Sequence, residues 1–207
     1  MNKVLLSTAY LAPIQYYTKI LMYNDVIIEA YENFVKQSYR TRCVIYGANG
    51  ELSLSIPITK NNPKVLTKDI RIDYSTNWRK MHLKSIESAY RSSPFFEFYI
   101  DDFIPFYKKE FKFLLDFNTE IQSTVLEHLE IEKNINYTAE YRFAKDLINI
   151  KDYRENITPK KNISDPDFVY PQYNQVFSEK HGFKQNLSII DFLFNEGPNA
   201  IELLRID

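Results

Sequence analysis

Within its first thirty residues the chain sets a short apolar run, a proline-led periodic stretch and a second apolar run in order, which restricts the fold more than any other feature. Val4 to Ser7 reads as a buried strand, Pro13 to Tyr23 as a helix, and Asp25-Val26-Ile27-Ile28-Glu29-Ala30 as a second strand after the turn pair Asn24-Asp25. Strand, helix, strand is a βαβ unit with a right-handed crossover. Its strands run parallel, and their carboxyl ends, near Thr8 and Tyr31, share one edge of the sheet. Open α/β sheets bind ligands at that edge. The turn from Tyr10 to Ile20 therefore brings the Tyr10 ring and the Gln15 amide to a candidate binding edge.

The next local signal is a hairpin. Asn49-Gly50 suits a two-residue type I′ turn, because both central positions of that turn need positive φ. Counting back from an Ala48 to Glu51 pair sets Ile45 opposite Leu54 and Cys43 opposite Ile56 on an apolar face. Arg42, Val44 and Tyr46 then face the other way. If the strand extends back to Arg40, two guanidinium groups project together, since side chains alternate. They are either a charged, solvated strand edge or part of a ligand site.

Further on, Asp69 to Asp73 alternates as a short strand and Thr76 is placed to cap a helix running to Arg91. Trp78, His82, Ser85 or Ile86, and Ala89 share one side of that helix. A long helix from Asp102 to Leu129 accepts Pro105 in its first turn. Ile135 to Thr138 reads as a strand, Tyr141 to Ile150 is ambiguous, and Pro57 to Lys68 and Thr158 to Pro171 read as polar loops. Ser188, with Asp191 three residues on, starts a helix in the manner of a capping box, and Gly197-Pro198 separates it from a last helix. The expected class is α/β: an N-terminal βαβ unit and a β-hairpin forming a mixed sheet, with a helix-rich second half. The whole reads as one domain, with room for a small helical subdomain over 170–207.

Composition removes several functions. Net charge is −1, which gives no electrostatic footprint for nucleic acid. Four glycines in all, none in GxGxxG or GxxxxGK[ST], leave no phosphate cradle of those kinds. Three scattered histidines and one cysteine lack metal-ligand spacing, so no metal or other cofactor is expected. No apolar run reaches the length of a membrane span and no convincing signal peptide opens the chain, so a cytoplasmic protein is expected. The place where an HxGH pair would mark a nucleotidyltransferase reads Ile14-Gln15-Tyr16-Tyr17.

The remaining candidates are positional. Tyr10 and Gln15 follow the first strand, Lys36, Tyr39, Arg40 and Arg42 follow the second, and Trp78 lies one helical turn from His82. Cations beside aromatic walls suit a phosphate joined to a flat base or sugar ring. His82 is the best available general base, although a satisfied, half-buried histidine gives the same pattern.

At these residues the sequence resembles the WbqC-like family of bacterial proteins. Tyr10-Leu11, Tyr16, Lys19 and Ile20 match its QPNYLPWLGYFxKI opening, while Ser7-Thr8-Ala9, Pro13 and Gln15 depart from it. Lys36, Ser38, Tyr39 and Arg42 resemble its KxSWxNR stretch. Trp78, His82, Tyr90 and Pro94-Phe95-Phe96 resemble its central positions, and Gly182-Phe183 with Leu187 through Gly197 resembles its closing motif. The resemblance implies a transferase of surface-polysaccharide (O-antigen) biosynthesis that moves an acyl or aminoacyl group such as glycine to a nucleotide- or lipid-linked amino sugar. The alternative it leaves open is a non-catalytic binding or assembly protein, with protein partners in the same machinery.

Overall fold

The computed structural model describes residues 2–59, 64–160 and 163–205. The expected βαβ unit is present as β1 (Lys3–Ser7), α1 (Ile14–Met22) and β2 (Asp25–Glu29), with β1 and β2 parallel from Lys3 opposite Asp25 to Ser7 opposite Glu29. The sheet is completed by segments far along the chain. β5 (Ile135–Tyr137) lies beside β2 and β6 (Ile150–Asp152) beside β1, giving the order β5-β2-β1-β6 with every pair parallel. Val4, Leu5 and Leu6 are all fully buried, as expected of a parallel strand covered on both faces.

The hairpin, β3 (Arg42–Gly47) and β4 (Gly50–Ser55), forms a sheet of its own among the described residues instead of extending the parallel one. Its register is two residues away from the expected one, with Gly47 opposite Gly50, Ile45 opposite Leu52 and Cys43 opposite Leu54. Ala48 and Asn49 form the turn without positive φ, and Gly50 alone takes it, at 105°. That is the turn-plus-glycine solution to hairpin closure in place of a type I′ turn. A shift of two preserves the facing of every side chain, so Cys43, Ile45 and Leu54 still point inward. Tyr46 faces the other way and is nonetheless buried, because its hydroxyl donates to the carbonyls of Phe177 and Gly182.

The helical half consists of α2 (Trp78–Tyr90), α3 (Phe96–Lys108), α4 (Leu114–His128), α5 (Ser178–His181), α6 (Ile189–Glu196) and α7 (Ala200–Leu204). The expected long helix from Asp102 is two helices, α3 and α4. The chain between them runs extended: Leu114 N–H donates to the Ile70 carbonyl, Ile72 N–H donates to the Lys112 carbonyl, and Arg71 bridges Phe113. Two segments without ladder partners thus satisfy each other, which also explains why 69–73 is not a regular strand. The loop expected from Pro57 to Lys68 includes Asn61-Asn62-Pro63, which lie outside the described residues.

Helix α6 is the apolar plug. Residues Ile189 to Phe194 are all buried, and α6 packs against α1, α3 and β3. Ser188 precedes it as expected, but the Ser188 hydroxyl donates to the Leu11 carbonyl at 2.7 Å instead of capping α6. Ile14 N–H donates to the Leu187 carbonyl and Ile189 N–H to that of Ala12, so Pro13 and Ser188 form an antiparallel bridge. Asp191, fully buried, accepts a 2.5 Å hydrogen bond from the Tyr173 hydroxyl. Gly197 ends α6 with φ of 56°, and a Cβ there would meet the Phe95 ring at 2.5 Å.

Candidate functional site

The carboxyl ends of β1 and β2 meet a layer of buried charge. Glu29, the last residue of β2, is fully buried and accepts hydrogen bonds from the Tyr31 and Arg142 backbone N–H groups, the Thr138 hydroxyl and Arg154 Nη1. Arg154, just after β6, also grips Asp152 through Nε and Nη2. Beside this pair, Arg40 donates from Nε and Nη2 to Glu32 at 2.7 and 2.6 Å. The Ser7 hydroxyl accepts from Arg40 Nη2 at 2.7 Å and donates to Glu32 at 3.2 Å. Burial pushes the Glu32 carboxyl up from its ordinary value, while the hydrogen bonds and charge of Arg40 pull it back. Paired, fork-to-carboxylate geometry is what permits such groups to be buried at all.

Over this floor lies a cavity of about 10 Å³, lined by Ser7, Thr8, Ala9, Tyr39, Arg40 and Arg154 among others. That space is on the order of one water molecule. Tyr39 is shared with a larger, open cleft of about 360 Å³, whose lining includes Gln15, Glu51, Lys160, Tyr170 and Asn186. Two phenol rings, four side-chain amides, a carboxylate and an ammonium thus surround one ligand-sized space. Burial raises the Tyr39 hydroxyl to about 12, so it is neutral and able to donate at ordinary pH.

One wall of the cleft comes from the segment that contains Lys160, Ile163 and Tyr170, and Asp165 fastens that segment to α1. Its Oδ2 accepts from Gln15 Nε2 at 2.7 Å and from the fully buried Lys19 Nζ at 2.8 Å. Lys19 donates further to the Asp167 carbonyl and sits over the Tyr153 ring. Burial pushes the Asp165 carboxyl up, but the hydrogen bonds from Lys19 and Gln15 outweigh this and hold it below the usual carboxylate value. Gln15 Oε1 accepts from Asn186 Nδ2, and Asn186 Oδ1 accepts from the Gln15 backbone N–H.

The residues expected from sequence separate into three groups. Gln15 and Tyr39 line the cleft, and Arg40 lines the inner cavity with Tyr39. Tyr10, Trp78 and His82 are instead packed together in the core: the Tyr10 hydroxyl lies 3.0 Å from His82 Nδ1 and 2.7 Å from the Tyr107 hydroxyl, and the His82 ring packs edge-on to Trp78. His82 is 3% exposed, and burial lowers it to about 4. The ring is therefore neutral and enclosed, and the cleft does not include it. Trp78, at 1% exposure, offers no face for stacking. Lys36 is exposed and Arg42 donates to the Ser55 hydroxyl, both outside the lining of these two spaces. Arg40 and Arg42 do not project together, because the strand begins at Arg42 and Arg40 turns inward to Glu32.

Sequence reasoning missed Ser7, Glu29, Glu32, Asp165 and Arg154. For Glu29 and Glu32 a signal existed: carboxylates at the end of a buried parallel strand lie at the edge where ligands bind, and their burial demands cations. Arg154 and Asp165 carried no such signal, since they reach the site only through β6 and a long loop. Among the described residues, no three His, Cys, Asp or Glu side chains gather to hold a metal ion, and no helix is long and apolar enough to cross a membrane.

The fold and the site define an α/β protein with a polar cleft beside the carboxyl edge of a parallel sheet. A family model places the chain within a known group. The WbqC-like protein family matches residues 8–164 and 142–203, and the chain belongs to that family. No curated protein and no solved structure matches it.

Proposed function

We propose that this protein is a transferase of bacterial surface-polysaccharide biosynthesis that holds a nucleotide- or lipid-linked amino sugar in the cleft beside Tyr39. The observation that carries the reading is the cleft itself: about 360 Å³ at the carboxyl edge of the sheet, with Tyr39 and Tyr170 among its walls and Gln15 and Asn186 fixed by each other. Sugar rings offer an apolar face to aromatic side chains and hydroxyls to amides, and a fixed amide loses little freedom on binding. Lys160, exposed on the lining, is the cation available to a carrier phosphate. Lys36 and Arg42 lie outside that lining, so their proposed part is limited to the approach of the charged carrier. Glu51 is a carboxylate of the lining and the group proposed to take a proton from the attacking amine or hydroxyl.

The role in polysaccharide synthesis and an acyl or aminoacyl donor rest on the family resemblance. Thermal-shift and saturation-transfer measurements with nucleotide amino sugars test the binding part. The expected result is binding that is weakened by Tyr39→Ala and Lys160→Ala and unchanged by Lys36→Ala. Absence of binding, or binding indifferent to Tyr39 and Lys160, overturns it.

One observation favours a second reading, a non-catalytic binding or assembly protein: the histidine expected as base is closed in the core at 3% exposure. Glu51→Gln separates the two. If binding persists and acyl transfer to a nucleotide-linked amino sugar is lost, the protein is an enzyme acting through Glu51. If the wild type binds the sugar and transfers nothing from any acyl or aminoacyl donor, the binding role stands.

A further inference from the structure

Arg40 is 4% exposed, yet its side-chain hydrogen bonds come only from Nε and Nη2. Nη1 makes none among the described residues, and Arg40 is one of the residues that line the inner cavity. The acceptors around it are already engaged: both Glu32 oxygens by Arg40, and both Glu29 oxygens by N–H and O–H donors. The cavity thus presents unused donors to whatever enters it, and a group of complementary chemistry is an acceptor oxygen. Charge narrows the choice. Arg40 and Arg154 are balanced by Glu29 and Glu32, and Asp152, paired with Arg154 and 33% exposed in its side chain, adds one further negative charge. This count leaves no surplus positive charge to hold a dianion, and the space admits one small oxygen rather than a tetrahedral group.

We infer that the inner cavity is a subsite for a single carbonyl or carboxylate oxygen, donated to by Arg40 Nη1, and that it does not bind phosphate. The inference deepens the reading of the cleft and rests on it for the rest of the ligand: Tyr39 lines both spaces, so a molecule in the cleft can place a carboxylate or acyl oxygen over Arg40. It also changes the part expected of Arg40 from a phosphate holder to a residue that orients an oxygen of lower charge.

The test uses the whole protein labelled with ¹⁵N at arginine. The Arg40 Nε–H, held by Glu32, serves as reporter and is assigned with Arg40→Lys or, should that variant not fold, by its response to Ser7→Ala. Titration with sodium acetate and with acetamide is expected to shift this signal saturably, acetate alone indicating a carboxylate and acetamide as well a neutral carbonyl. Inorganic phosphate at pH 7.5 is expected to leave it unmoved. Ala9→Val, which fills the cavity without touching an ion pair, is expected to weaken acetate binding about tenfold or more. A silent Arg40 signal with both probes, binding of phosphate as tight as that of acetate, or an Ala9→Val variant that binds acetate normally would each overturn the inference. If nucleotide sugars bind the wild type while acetate and acetamide leave Arg40 silent, the subsite fails and the cleft reading survives. The opposite pattern leaves the subsite and removes the sugar.

Discussion

The Tyr10 hydroxyl stands 3.0 Å from Nδ1 of His82, in a short buried chain that ends on the Tyr107 hydroxyl 2.7 Å away. This contact makes His82 a structural histidine whose protonation opposes folding. Its folded value is lowered from 6.5 to about 4 by burial, against which the Ser55 carbonyl pulls upward. Between these values the unfolded chain binds the proton and the folded one does not. The contribution is therefore complete above pH 6.5 and is lost as pH falls toward 4.

At about 1.4 kcal/mol per pH unit, that loss amounts to about 3 kcal/mol. Urea midpoints for wild type and His82→Gln, measured at pH 7 and pH 4.5, are expected to show the acid loss in wild type and a smaller one in the variant. Glutamine retains an acceptor for Tyr10, so the comparison isolates the titration. An equal slope in both proteins would remove His82 as its origin.

Asp191 gives the opposite slope. Burial raises its carboxyl from 3.8 to about 6, although the Tyr173 and Tyr90 hydroxyls pull it down. The folded state now holds the proton more tightly, so stability is gained as pH falls from 6 to 3.8, and the full cost of the buried charge is present at neutral pH. Asp191→Asn is expected to be more stable than wild type at pH 7, by up to about 3 kcal/mol, with the gap closing below pH 6. A constant gap from pH 7 to pH 4.5 would contradict this.

The Arg40 and Glu32 pair is expected to be costly to break and less costly to remove. Arg40→Met leaves a buried carboxylate without its cation and should destabilise by about 3 to 5 kcal/mol, whereas adding Glu32→Gln should recover part of that loss. A double-mutant cycle by chemical denaturation measures the coupling. Additive losses would show that the two residues act independently.

Asp165 is expected to hold the wall of the cleft in place. Asp165→Ala strands the buried Lys19 ammonium with a carbonyl and a ring, and frees Gln15 Nε2. The expected outcome is faster hydrogen exchange around Phe168 and Val169, with the hairpin unchanged. Protection equal to that of wild type would show the wall is held by its other contacts.

Much of this fold is legible where the signal is local. The βαβ unit follows from two apolar runs and a proline, and the buried side of α2 follows from the spacing of Trp78, His82, Ile86 and Ala89. The failures occur where distant segments decide the outcome. β6 is three residues long and exists because β1 offers it a free edge. The break between α3 and α4 exists because residues 70–72 need backbone partners. The site follows the same division: Gln15 and Tyr39 lie near the expected edge, whereas the two readings of His82 stayed open because helical spacing shows which side a residue occupies and not whether that side meets a cavity or the core.

The bridge between Pro13 and Ser188 sets an order on how the molecule can be made. The turn that carries Gln15 receives its backbone partners from Leu187 to Ile189, and β1 receives β6 only from residue 150 onward. On the ribosome, the earliest elements must therefore wait, with an open sheet edge and an unplugged apolar surface, until nearly two hundred residues have emerged. A chain so arranged keeps apolar surface uncovered through most of its synthesis, and it acquires its cleft only when residues 185–187 have joined the lining.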